Sequence, residues 1–366
     1  MEGKQMKSEM DSIVTEERPW SELPREILLL IARYIDQKED LVRTFAVCKP
    51  WKSVTPFIHR HKKGTDPLLL SFPGIVGGQL YNHLSQKTCF ISVPELNETV
   101  CGCSNDGWLL LGSFDESISN CEATRVPQFF IFNPFTTDRI DLPERYQLIS
   151  QDYLYCFIYQ QLLSNTCAFS SPSDPNWTFF ALKSSSKYEV IICTYHSGDR
   201  DWTTTVYPVE DEDHHFIQTR TNVVSHKGVF YCLGKFGKLG AFDSINHTWT
   251  VTSPKVGKRF TDLVKKYFVE SNGELFVVDD HRMRVNVFWL DKTKMEWVRV
   301  KSLGDRTLYV GSVGSVMVTP SNPSMKNRIY FPERVQKGNQ DICENSLAAN
   351  ERDINCALHQ PLMSHQ

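Results

Sequence analysis

The densest run of chemically capable side chains is Glu210-Asp211-Glu212-Asp213-His214-His215, whose carboxylates and imidazoles are donor types that bind metal ions. Six adjacent residues cannot all converge on one ion, so the run reads as a solvated acidic loop. Acid and base work on a glycoside would need two convergent carboxylates. Asp243 and Asp291 instead recur at equivalent places in a repeat, and Asp279-Asp280 falls between strand-like runs, so turn formation accounts for these acids. Gly234, Gly237 and Gly240 stand three apart with no helix to follow, which fits hairpins rather than a dinucleotide fingerprint. Gly311-Ser312-Val313-Gly314-Ser315 lacks the lysine of a phosphate loop. Eleven cysteines are scattered, and the closest pair, Cys101 and Cys103, has no second pair or histidines at zinc spacing, so reduced structural thiols are expected. The residues that could do chemistry therefore predict no catalytic group, no metal site and no cofactor.

The composition is 41% hydrophobic and 12% aromatic with a formal charge of −3, which argues against wholesale disorder and against a generic polyanion binder. Nucleic acid and membrane are not expected partners. No apolar run approaches the roughly 20 residues that span a bilayer, because Arg33 interrupts the stretch that begins at Ile27. Residues 1–18 mix acids and bases without an apolar centre and are expected to be a disordered leader, not a signal peptide. The expected location is the cytoplasm, the nucleus or both.

Helical periodicity is confined to the segment after the leader. Pro24 suits a helix start, Glu26 complements the positive end of the helix dipole, and Ile27, Leu28, Ile31 and Ile35 recur at helical spacing. Leu30 and Tyr34 extend apolar character to a second face. Asp40 predicts the start of a second helix bearing Leu41, Thr44, Phe45 and Cys48, and Pro50 a third that places Trp51 in its first turn. Three such short helices bury little by themselves, so a partner surface is expected.

The ordered segments Trp20-Ser21-Glu22-Leu23-Pro24-Arg25-Glu26-Ile27-Leu28, Asp40-Leu41-Val42-Arg43 and Val47-Cys48-Lys49-Pro50-Trp51-Lys52 resemble an F-box. The resemblance implies docking on a Skp-type adaptor, and through it on a cullin-RING ubiquitin ligase. Carried over by position, Leu23, Pro24, Ile27, Leu28, Ile31, Val47, Cys48 and Trp51 are the expected adaptor-facing set, some of which must also hold the helices together. Ile31 and Phe45 suit the interior as well as they suit a contact.

Beyond a basic, turn-rich connection the pattern changes to short β-branched and aromatic runs separated by Gly, Asn, Asp, Ser and Pro clusters, which predicts strands joined by turns. One unit repeats. Val287-Phe288-Trp289-Leu290-Asp291 is followed six residues on by Trp297, and Gly240-Ala241-Phe242-Asp243 by Trp249 at the same distance, an offset of 48 residues. Ile192-Cys193-Thr194-Tyr195-His196 leads likewise to Trp202. Weaker copies run from Phe130-Ile131-Phe132-Asn133 to Arg139 and from Gln79-Leu80-Tyr81-Asn82 to Thr88. In the clear copies a strand ends on a residue that can close a turn on its own backbone, and the next strand carries a Trp that packs between sheets. A period of this length with several strands per unit predicts propeller blades.

Phe132-Asn133-Pro134-Phe135-Thr136 and Asn327-Arg328-Ile329-Tyr330-Phe331 are similar to motifs of the kelch-like domain found in a large family of plant F-box proteins. The expected organisation is a leader to residue 18, a three-helix F-box at 19–58, a linker at 59–66, a kelch-like β-propeller of five to six blades at 67–334, and a disordered tail at 335–366 with no strand. The function that follows is substrate recognition within a Skp-cullin-F-box ligase, the propeller binding a substrate protein. The alternatives are a non-degradative binding module and a carbohydrate-active propeller enzyme. Trp108 and Trp177 could serve either the core or a contact.

Overall fold

In the computed structural model the described residues are 20–35, 44, 47–52, 67, 69–71, 78–82, 87–91, 95, 99–113, 128–134, 136–143, 166–184, 189–209, 215–219, 221–257, 260, 265–281, 284–332 and 342–346. The chain divides into two compact units, residues 1–62 and residues 63–366.

The first unit contains a 3-10 turn at Trp20–Glu22, helix α1 (Arg25–Tyr34) and the single-turn α2 (Lys49–Lys52). Pro24 is the N-cap of α1, one position earlier than a first-turn proline, and its carbonyl accepts from the Ile27 and Leu28 amides at 3.0 and 3.1 Å. A proline there leaves no donor of its own unmet. Ile35 turns extended and ends the helix. The expected second helix, with Asp40, Leu41 and Phe45, lies outside the described residues apart from Thr44.

The second unit is all β and forms a five-bladed propeller, the lower end of the expected five to six. Blade 1 is β4 (Thr99–Asn105), β5 (Trp108–Ser113), β6 (Phe129–Asn133) and β7 (Asp138–Asp141), and blade 2 is β8 (Cys167–Phe169), β9 (Thr178–Ser184), β10 (Glu189–His196) and β11 (Thr203–Pro208). Blade 3 comprises β12 (Val224–His226), β13 (Val229–Leu233), β14 (Leu239–Asp243) and β15 (Thr248–Thr252). Blade 4 comprises β17 (Lys265–Ser271), β18 (Glu274–His281), β19 (Arg284–Asp291) and β20 (Glu296–Val300), with β16 (Lys255–Val256) added in parallel to its outer strand. A separate three-stranded antiparallel sheet of β1 (Leu69–Ser71), β2 (Gly78–Asn82) and β3 (Lys87–Ile91) carries the first weak repeat copy, with Tyr81 opposite Thr88.

Blade 5 departs from the pattern. β21 (Thr307–Tyr309) pairs antiparallel with β22 (Val316–Val318) and parallel with β23 (Arg328–Pro332), so the sheet order is β22, β21, β23 and then β24 (Ile342–Ser346). The tail expected to hold no strand thus supplies one. A polar run without alternation can still add to a sheet edge, where backbone groups alone make the ladder.

The inner strands β4, β8, β12, β17 and β22 neighbour one another in that order. The Ser104 amide donates to the Val313 carbonyl at 2.9 Å and joins blade 5 back to blade 1. Cores fill the gaps between successive blades. One combines Leu110, Phe129 and Ile131 with Phe169, Phe179 and Trp202, and another combines Phe180 and Ile192 with Phe230, Phe242 and Trp249. A third sets Leu233 and Leu239 against Phe268, Phe288 and Trp297. A fourth sets Phe276 and Val287 against Leu308 and Ile329. The repeat aromatic is therefore an inter-blade residue, as its spacing predicts.

Candidate functional site

Two halves of the chain bear on function, and they present different kinds of surface. In the helical unit the interior is built from Leu28 and Ala32, packed by Leu23, Leu29, Ile35 and Trp51. The Trp51 indole donates to the Trp20 carbonyl at 2.7 Å and fastens α2 to the entry turn. What remains outside is an apolar stripe. Ile27 is 42% exposed, Leu30 47% and Tyr34 80%, at the spacing that puts all three on one side of α1, and Val47 is 62% exposed. Unpartnered apolar residues gathered on one helix mark an interaction surface more than a scattered few would.

The eight expected adaptor-facing residues divide on this basis. Ile27, Val47 and Pro24 are exposed, Leu23, Ile31, Cys48 and Trp51 are half-buried, and Leu28 is 4% exposed and belongs to the interior. Trp20, Leu30 and Tyr34, which the expected set omits, are exposed with Ile27. The signal that finds two of them is the interval of three and seven residues from Ile27, which separates the outward stripe from the inward Leu28 and Ala32.

In the propeller the candidate chemical groups mostly serve structure. The Asp243 carboxylate accepts from the Ile245 and Asn246 amides at 2.9 and 3.0 Å and from the Asn246 side chain at 2.8 Å. Asp291 accepts from the Thr293 and Lys294 amides at 2.9 and 3.1 Å and from the Thr293 hydroxyl at 2.6 Å. These bonds hold both carboxyls below the usual carboxylate range, the Asn246 amide leading for Asp243 and the Thr293 hydroxyl for Asp291. Both are turn acids, as expected. Asp279 is not. It lies inside β18, fully buried, with the buried Lys266 ammonium of β17 at 3.3 Å. A sequence pattern cannot distinguish this from a turn acid, because the ion pair depends on the register that sets Lys266 opposite Asp279.

Gly240 is likewise a strand residue of β14, not a hairpin residue. A Cβ there would stand 2.1 Å from the Trp249 ring, so the glycine admits the indole. The acidic run 210–214 lies outside the described residues, and among those described no group of three or more His, Cys, Asp or Glu could hold a metal ion. Cys101, Cys103, Cys167 and Cys193 are reduced, and Cys103 and Cys167 approach to 4.0 Å between blades 1 and 2. Burial pushes the Cys193 thiol up to about 12 and raises Cys101 and Cys103 as well, which makes them poor nucleophiles. Trp177 is buried, and Trp108 packs half-buried against the same core.

Polar ties between blades complete the scaffold. The Asn222 side chain donates to the Phe268 carbonyl at 2.7 Å and accepts from the Phe268 amide at 3.0 Å. Asn105 donates to the Phe169 carbonyl at 2.9 Å, and His226 meets Glu270 at 2.9 Å. These bonds tie neighbouring blades to one another, and no helix among the described residues is long and apolar enough to cross a membrane.

Comparison with known proteins agrees with both halves. A family model described as KIB1-4 beta-propeller matches residues 80–356, and one described as F-box-like matches residues 20–62. An F-box/kelch-repeat protein of Arabidopsis thaliana is 28% identical over 334 residues, covering 88% of this chain and 86% of its own. An F-box protein of the same plant is 28% identical over 295 residues, covering 80% of this chain and 72% of its own.

Proposed function

Because the chain belongs to the KIB1-4 beta-propeller family and carries an F-box-like segment before that propeller, we propose that it is the substrate-recognition subunit of a Skp-cullin-F-box ubiquitin ligase. At the coarser level it is an F-box protein of the substrate-recognition kind with a propeller domain. The observation that carries the finer reading is the stripe Ile27, Leu30 and Tyr34 on α1, apolar and exposed, as Val47 also is, on a unit whose own interior is already filled by Leu28 and Ala32. Docking of a Skp-type adaptor on that stripe removes it from water. Each such side chain, already partly covered, contributes about 1 kcal/mol on complete burial.

In this reading the chain performs no bond chemistry. It raises the effective concentration of a substrate protein near a ubiquitin-charged enzyme held by a cullin-RING partner, in the cytoplasm or nucleus. The test is reconstitution of the full-length chain with a Skp-type adaptor, a cullin and a RING subunit. Co-elution of all four with ubiquitin chain formation supports the reading. Adaptor binding without cullin recruitment would favour a non-degradative tether, and no adaptor binding would contradict the reading altogether.

A further inference from the structure

One exposed feature of the propeller is built in a way that a mere connection does not require. The loop between β13 and β14 contains a 3-10 turn, Lys235–Gly237, in which Phe236 has φ 58° and ψ 23° and is 70% exposed. Left-handed backbone is disfavoured for a bulky side chain, and Gly or Asn would occupy it with less strain. The other such positions among the described residues hold Asp, Thr, Lys, His, Asn or Met.

The loop is also clamped. The Gly234 amide donates to the Lys238 carbonyl at 2.8 Å and the Lys235 amide to the Ile217 carbonyl at 2.8 Å. The Lys238 ammonium donates to the His215 carbonyl at 3.0 Å, and the Trp297 indole of blade 4 donates to the Gly237 carbonyl at 2.9 Å. A Cβ on Gly237 would lie 2.6 Å from a Val256 methyl, so β16 abuts the loop. Val256 itself remains 41% exposed, and Lys235 and Lys255 are exposed on either side.

The charge of this patch is opposite to that of the chain. Among the described residues, segments 234–240 and 253–257 contain three Lys and no Asp or Glu, with Glu296 opposite Lys255 on β20, whereas the whole sequence carries a formal −3. We infer that Phe236 and Val256, ringed by Lys235 and Lys255, form a docking surface for an acidic peptide segment that inserts an apolar side chain. The inference rests on the substrate-recognition reading and names the class of segment it would recruit. A peptide fits better than a nucleic acid, because a single-stranded polyanion binder sets successive aromatics along a basic groove, and here one aromatic stands on a chain of net negative charge.

The test is selection of a random peptide display library on the full-length chain, followed by fluorescence anisotropy of the leading peptide, with single-stranded oligothymidylate as a second probe. Acidic sequences with a Leu, Ile, Phe or Trp are expected, binding about tenfold or more weakly to Phe236→Asn and to the Lys235→Glu/Lys255→Glu pair. Asn tolerates left-handed backbone, so Phe236→Asn should keep or raise the melting temperature. No enrichment, enrichment without acidic bias, or affinity unchanged in both variants overturns the inference, and so does tighter binding of the oligonucleotide. Adaptor binding measured on the same samples separates the two readings. Loss of peptide selectivity with intact adaptor binding removes only this inference, and the reverse removes only the ligase reading.

Discussion

Trp249 and Trp297 occupy the same place in successive repeats, yet replacing each by Phe should have different consequences. The Trp297 indole N–H donates to the Gly237 carbonyl at 2.9 Å, and the side chain is buried in the core between blades 3 and 4. The Trp249 indole N–H is also buried but meets no acceptor among the described residues. Both substitutions trim the ring by the same atoms, a shared cost of about 1 kcal/mol. Trp297→Phe adds the loss of a made bond and leaves a buried carbonyl unmet, about 1–3 kcal/mol more. Trp249→Phe instead removes a buried donor that was desolvated without return, which offsets part of the shared cost. The two variants should therefore differ by about 2 kcal/mol or more. For a unit of about 300 residues, an unfolding entropy near 2.1 cal/mol/K per residue converts that to about 3 °C in Tm. Thermal and urea unfolding followed by far-UV circular dichroism measures it without relying on indole emission. Equal destabilisation by the two variants, or a larger loss from Trp249→Phe, would refute the reasoning.

Three further outcomes follow from the same geometry. Gly240→Ala drives a methyl to 2.1 Å from the Trp249 ring and should cost about 1–3 kcal/mol in urea unfolding, with partial recovery when Trp249 is also reduced to Leu. Lys266→Met leaves the buried Asp279 carboxylate without the ammonium at 3.3 Å and should cost about 3–5 kcal/mol, whereas Lys266→Met with Asp279→Leu should recover most of it in the same assay. Asp243 and Asp291 have depressed carboxyls in the folded chain, so their contribution is present above the unfolded value near pH 4 and is lost as pH falls through the lower folded values. Asp243→Asn with Asp291→Asn should flatten that acid limb in Tm measured against pH and leave its shape near neutrality unchanged.

The repeat was legible because it is local. Asp243 and Asp291 close turns on their own neighbours, and a Trp six residues later lands on the next strand, so short-range chemistry alone reveals the blade unit. What depends on pairing over distance was not legible. The parallel placement of β21 beside β23 and the late strand β24 arise from the assembled sheet, and no alternation in 342–346 announces them. Asp279 reads as a turn acid because its partner Lys266, on the preceding strand of the same hairpin, meets it only through the register of that pair. In the helical unit the motif marked the segment that bears the exposed stripe, but Leu28 and Ile27 are adjacent and equally apolar. Only the helix phase shows that Leu28 faces inward with Ala32 while Ile27 faces outward with Leu30 and Tyr34. Leu28 would therefore be a poor probe of docking, since its replacement empties the module's interior.

The central claim is that the exposed stripe of α1 is an adaptor-docking face, and isothermal titration of a purified Skp-type adaptor against the full-length chain measures it directly. Ile27→Asp places a carboxylate where an apolar side chain would be covered, at a position already exposed in the free unit, so folding should be retained. Saturable binding by the wild-type chain, weakened about tenfold or more by Ile27→Asp with unchanged circular dichroism, is the predicted result. Binding that is equally tight in the variant, or no binding by the wild-type chain, would contradict the account.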